Sequence, residues 1–112
     1  MTKLTAVLEK LGYTQLTSKE ISHTFSGAYT SDLLSDVMGN AEEGSLLITI
    51  QAHKNSVAVA SLIGMPAIIL CNGRTPNDDM IEAADQENIA ILSTTDSQFV
   101  SSYKIAQLLG LM

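Results

Sequence analysis

The chain has no tryptophan, one cysteine, two prolines and two histidines, and only six basic residues against twelve acidic ones. Each shortage excludes something. With aromatics at 4%, a core can be filled only by Ile, Leu, Val, Ala and Met. The lone cysteine, Cys71, cannot form an internal disulfide, which suits a reducing compartment. A formal charge of −6 and the absence of any Lys/Arg cluster argue against nucleic acid and against an anionic membrane surface, since affinity for either rests on clustered cations. No apolar run approaches the ~20 residues of a membrane span. The stretch Met1–Lys10 carries Lys3, Glu9 and Lys10 among its apolar positions, unlike a secretory signal. The expected location is the cytoplasm. Two histidines and one cysteine are too few for an identifiable metal-ligand set, so neither metal nor cofactor is expected.

What remains is globular. Hydrophobic residues at 46% and charged ones at 16%, over 112 residues, predict one domain covering 1–112 with its own core. Leu4, Val7, Leu8 and Leu11 repeat at helical spacing before Gly12, predicting a helix over Thr2–Leu11. The following stretch to Tyr29 is mixed and polar, with a weak alternation of Ile21, His23 and Phe25 that suggests an edge strand. Ser31 is the expected cap of a second helix, with Leu33, Leu34, Val37 and Met38 as its apolar side and Gly39 closing it.

From Gly44 the pattern becomes regular. Leu46–Ile50, Ala67–Cys71 and Ile89–Leu92 are apolar runs of strand length. Between them lie a small-residue helix over Asn55–Ile63 and a helix opened by Thr75 as cap and Pro76 at its first position, running to about Asn88. A last helix starts near Asp96 and carries Phe99, Tyr103, Ala106 and Leu109 on one stripe. Strands apolar on both faces must be covered on both, so the order predicts an α/β fold. The specific form is a three-layer α/β/α sandwich with a mostly parallel central sheet.

In such sheets ligands bind beyond the carboxyl ends of the strands. The three strand exits are all polar: Gln51-Ala52-His53-Lys54-Asn55, Asn72-Gly73-Arg74-Thr75 and Ser93-Thr94-Thr95-Asp96. The candidate ligand-binding residues are therefore Gln51, His53, Asn55, Asn72, Gly73, Arg74, Ser93, Thr94 and Thr95. Capping and turn formation explain the same residues without any ligand, because Asn, Ser, Thr and Asp bond local backbone. If an anion binds, Arg74, Lys54 and the helix N-termini would hold it.

No catalytic pattern occurs. None of the seven glycines precedes a lysine, which rules out a phosphate loop, and Gly-x-Gly-x-x-Gly, Gly-x-Ser-x-Gly and Cys-x-x-Cys are also missing. Cys71 ends an apolar run and reads as a structural thiol. Asp32 and Asp36, one helical turn apart, read as a solvated face. An acid–base role for His53 would need an activating partner, and the sequence offers none.

The segments Gly27–Met38, Ile48–His53 and Val57–Ala60 resemble the DRTGG domain family, above all its small stand-alone members. The likeness continues through Ile68–Pro76 and Ile91–Thr94, and its specific part runs from Tyr29 to His53. The pentapeptide that names the family is absent; the comparable stretch reads Thr24-Phe25-Ser26-Gly27-Ala28. The resemblance implies a fold similar to the N-terminal domain of HPr kinase/phosphorylase, in modules that accompany CBS domains in pyrophosphatases or sit beside phosphotransacetylase domains. Stand-alone members are often encoded near iron-only hydrogenases. It therefore implies a regulatory or dimerising role, not kinase activity.

These readings converge on a non-catalytic regulatory domain that self-associates as a homodimer and senses a small anionic metabolite or nucleotide. The alternative is an adaptor docking on a redox (hydrogenase-type) or phosphotransfer enzyme with no ligand of its own. Self-association is suggested by Ile105, Leu108, Leu111 and Met112, which lie off the Phe99–Tyr103 stripe and leave the last helix with surplus apolar surface.

Overall fold

The computed structural model describes residues Met1–Met112. Its elements are β1 (Thr2–Lys3), α1 (Thr5–Leu11), β2 (Thr14–Gln15), β3 (Thr24–Phe25), β4 (Gly27–Thr30), α2 (Leu34–Asn40), β5 (Ser45–Thr49), α3 (Lys54–Ile63), β6 (Ala67–Leu70), α4 (Asp78–Gln86), β7 (Ala90–Ser93) and α5 (Gln98–Leu108). A five-stranded sheet runs in the order β2-β7-β6-β5-β4, and β1 pairs with β3 in a small antiparallel ribbon. The four strands β4 to β7 are parallel, while β2 joins the edge antiparallel, Thr14 opposite Ser93.

Alternation along each strand divides the core in two. Leu46, Ile48, Ile69 and Leu92 face α1 and α5, packing with Leu4, Val7, Phe25 and Ile105. Leu47, Ile68, Leu70 and Ile91 face α2, α3 and α4, packing with Val37, Val57, Ala60, Met80 and Ala84. Every residue of β5 and β6 is buried, as expected of strands covered on both faces. The molecule is thus a three-layer α/β/α sandwich around a mostly parallel sheet, as the three apolar runs predict.

Several local expectations are corrected. The first helix begins at Thr5, because Thr2 and Lys3 pair with β3. The edge strand is Gly27–Thr30, beside β5, and of the weak alternation only Phe25 falls in a strand. Ser31 does not cap α2: its hydroxyl accepts from the Leu33 N–H, forming a turn that delays the helix to Leu34 and leaves Asp32 outside it. That helix also runs through Gly39 to Asn40, and Leu33 and Met38 are exposed while Val37 is buried. The residue flanking α4 is Asn77, not Thr75.

The largest correction concerns α5, whose cap is Ser97, accepting from the Val100 N–H at 3.2 Å. Phe99 and Tyr103 are not core: they are 79% and 38% exposed, in edge-to-face contact at 6.0 Å. The buried face is Ser101 and Ile105, with Leu108 and Leu109 packed beside them. Ile105 and Leu108 thus complete the monomer core, while Leu111 and Met112 stay exposed. No helix is long and apolar enough to cross a membrane.

Candidate functional site

The helices explain where a cleft opens. After β5 and after β6 the chain turns to the same face of the sheet, into α3 and α4; after β7 it crosses to the opposite face, into α5. Only the β6 and β7 exits diverge, and a crevice opens between neighbouring parallel strands whose connections leave in opposite directions. A cleft of about 420 Å³ lies there, within the range of small-molecule sites. Its walls are Gly73–Pro76, Ser93–Asp96, the end of α1 with the start of β2, and Lys104 from α5.

The floor is built by backbone. Asn72 and Gly73 have φ of 61° and 65°, and the Arg74 N–H donates to the Cys71 carbonyl at 3.2 Å. This is the mirror-image two-residue turn for which Asn-Gly is the strongest sequence signal. The turn is then laced to the β7 exit: the Gly73 N–H donates to Thr94 O and the Asn72 N–H to Asp96 O, both at 2.9 Å. Thr94 Oγ1 accepts from the Asp96 N–H, completing a hydroxyl turn. Two loops well separated in sequence therefore form one rigid ledge, and Arg74 stands exposed upon it.

The wall opposite carries the charge. Lys104 Nζ and the Tyr13 hydroxyl both donate to Oδ2 of Asp96, at 2.8 and 2.9 Å. The Lys104 ammonium, with help from the Tyr13 hydroxyl, holds the Asp96 carboxyl below its ordinary range against the opposing effect of burial. The same contact raises Lys104, and burial raises the phenol of Tyr13, so both remain protonated donors at neutral pH. Beneath them Ser101 Oγ is buried without a hydrogen-bond partner, near the Tyr13 hydroxyl and the Cys71 thiol but in bonding geometry to neither. Burial pushes the Cys71 thiol up, consistent with a structural residue.

The predicted contact residues are divided by this arrangement. Gly73, Arg74, Ser93, Thr94 and Thr95 line the cleft, and Asn72 shapes the turn under it. Gln51 and His53 leave the same edge of the sheet but belong to another neighbourhood. The His53 Nε2–H donates to Gln51 Oε1 at 3.0 Å, and the Gln51 amide donates to the Asp32 carbonyl at 2.7 Å. Asn55 lies beside Lys54 in a separate groove between α3 and α4. All three exits leave one edge of the sheet, as expected of parallel β5, β6 and β7; two of them form the cleft and the third stands apart, because β5 and β6 feed helices on the same face.

Tyr13 and Lys104 are cleft residues that pattern reading misses. Tyr13 precedes a two-residue strand with no periodicity to detect, and 83 residues separate it from Asp96. Lys104 stands on α5, eight residues after Asp96, which lies in the loop before the Ser97 cap, so no helical spacing links the two. Asp36 is also more than solvated surface: it accepts from the Tyr29 hydroxyl at 2.8 Å, which raises the Tyr29 phenol, and from the Asn40 amide.

The family model described as HPr Serine kinase N terminus matches residues 36–109, which contain both divergent loops and Lys104 but not Tyr13. No curated protein matches the chain. Among solved structures, a similar fold occurs in the crystal structure of the CBS and DRTGG domains of the regulatory region of Clostridium perfringens pyrophosphatase, complexed with its activator diadenosine tetraphosphate. The TM-score is 0.71 at 19% sequence identity, over 98% of this chain and 48% of that one. The chain thus spans about half the length of that structure.

Proposed function

Since the chain belongs to the HPr serine kinase N-terminus family, we propose that it is a regulatory, non-catalytic domain that binds a small anionic metabolite, with a nucleotide the first class to test. The observation that carries this reading is the cleft itself. In a chain of net charge −6, Arg74 and Lys104 both face a polar cleft at the one point where the sheet's connections diverge. The ledge beneath it is preorganised by backbone bonds, so a ligand need not order the loops in order to bind. The structurally similar clostridial region is complexed with a nucleotide activator, which supports the choice of ligand class.

On this reading Arg74 contacts the anionic group, while the hydroxyls of Ser93, Thr94 and Thr95 supply neutral hydrogen bonds. The domain acts in the cytoplasm, and residues 1–112 form one such unit. Thermal unfolding in the presence of ATP, ADP and diadenosine tetraphosphate tests it. A ligand at ten times its dissociation constant stabilises by roughly 1.4 kcal/mol, a rise of roughly 4–8 °C in Tm for a chain of this size. Arg74→Ala should remove most of that rise while leaving the unliganded Tm in place, because Arg74 is exposed. No rise at millimolar ligand contradicts the proposal.

The reading includes self-association. Its support is the outward face of α5, where Phe99 and Tyr103 form an exposed aromatic pair. If the chain is monomeric, the same surface suits a partner enzyme of the redox or phosphotransfer kind.

A further inference from the structure

The contact between Asp96 and its two donors has a meaning beyond loop order. Lys104 Nζ and the Tyr13 hydroxyl come from α5 and from the segment before β2, and they converge on a single carboxylate oxygen, Oδ2. An ammonium and a phenol placed about 3 Å from one anionic oxygen, in a cleft, have the geometry with which proteins hold a phosphate oxygen. Here the oxygen is the chain's own. The position also lies just before the N-terminus of α5, an eleven-residue helix whose dipole favours negative charge there.

We infer that Tyr13 and Lys104 are an anion-binding pair occupied by Asp96 as an internal substitute, and that a phosphate group enters by displacing the Asp96 carboxylate. The inference rests on the reading of this cleft as the site of an anionic ligand, and it specifies how that site is regulated. The internal contact is weak enough to be displaced. Lys104 and Asp96 are 32% and 23% exposed at their side chains, and partly exposed ion pairs contribute little net stability. A phosphate oxygen restores both donor contacts and adds Arg74, which Asp96 leaves unused. Nearby backbone need not move, because the Asp96 N–H and C=O stay bonded to Thr94 Oγ1 and the Asn72 N–H while the side chain swings away. Asp96 thus sets a threshold: only ligands carrying enough negative charge to outcompete a carboxylate gain access.

The decisive experiment is calorimetric titration of inorganic pyrophosphate into the wild type, Asp96→Asn, Lys104→Met and the double variant, with far-UV CD confirming the fold of each. Removing the competing charge should tighten pyrophosphate binding roughly tenfold in Asp96→Asn. Lys104→Met should weaken it in either background, bringing the double variant back to the wild-type value or below. Asp96→Ser serves in place of Asp96→Asn if the amide fails to fold. Unchanged or weaker binding in the Asp96 variants overturns the inference, since Asp96 would then be a ligand contact or a spacer. Tightening that survives loss of Lys104 overturns it equally. Failure of the underlying reading looks different: no nucleotide then stabilises the wild type and Arg74→Ala changes nothing, while Asp96→Asn still gains Lys104-dependent pyrophosphate binding.

Discussion

At the scale of residues, the cleft depends on a few positions whose conformations are costly to change. Gly73 is the clearest. Its φ of 65° is one that residues with a Cβ adopt only with strain, yet a Cβ there would meet nothing nearer than Thr95 Cγ2 at 3.9 Å. Gly73→Ala should therefore destabilise by about 1 kcal/mol through backbone strain alone, read as a lower urea midpoint with an unchanged slope. An unchanged midpoint would show that the ledge adjusts freely and is not the rigid floor described. The Asn72–Gly73 turn was legible in the sequence, because Asn-Gly between an apolar run and a helix start has a specific conformational reason. Tyr13 and Lys104 were not legible, because their role depends on a contact across 83 residues in one case and on the face chosen by a helix in the other.

At the scale of elements, the strands were easier to read than the helices' faces. Three apolar runs of four or five residues, too short for helices, read as strands buried on both sides, and β5, β6 and β7 lie within a residue or two of those runs. The helix α5 shows how a face can be misread. Its apolar residues are spread round the helix, and the aromatic stripe of Phe99 and Tyr103 invites assignment to the core on size alone. The sheet is met by Ser101 and Ile105 instead, since a small residue lets the helix approach Tyr13 and Cys71 closely. The aromatic pair is left outside, and it supports a prediction. Phe99→Ser with Tyr103→Ser should convert a dimer to a monomer in sedimentation velocity while far-UV CD shows the fold retained, because neither ring belongs to the core. A wild type that sediments as a monomer at high concentration ends the self-association proposal.

At the scale of the whole molecule, the order of strands and the side to which each connection turns decide where a ligand can sit. Four parallel strands in sequence order, with α2, α3 and α4 all on one face, leave no crevice among their own exits. Only the crossing of α5 to the other face creates one, and the antiparallel β2 closes its outer wall. Sequence pattern predicts the layers but not this crossing, because periodicity reports that a helix is covered and not which face of the sheet covers it. That is why the pattern brings all three exits to one edge of the sheet but does not show that only those at 72–75 and 93–96 meet in a cleft. On the proposed function, an anionic ligand occupies the cleft between β6 and β7. The most direct test is an amide ¹H–¹⁵N NMR titration with ATP. The shifted resonances should concentrate at Gly73, Arg74 and Thr94–Asp96. Shifts confined to the α3–α4 groove around Lys54, Ser61 and Glu87, or no shifts at millimolar nucleotide, would contradict it.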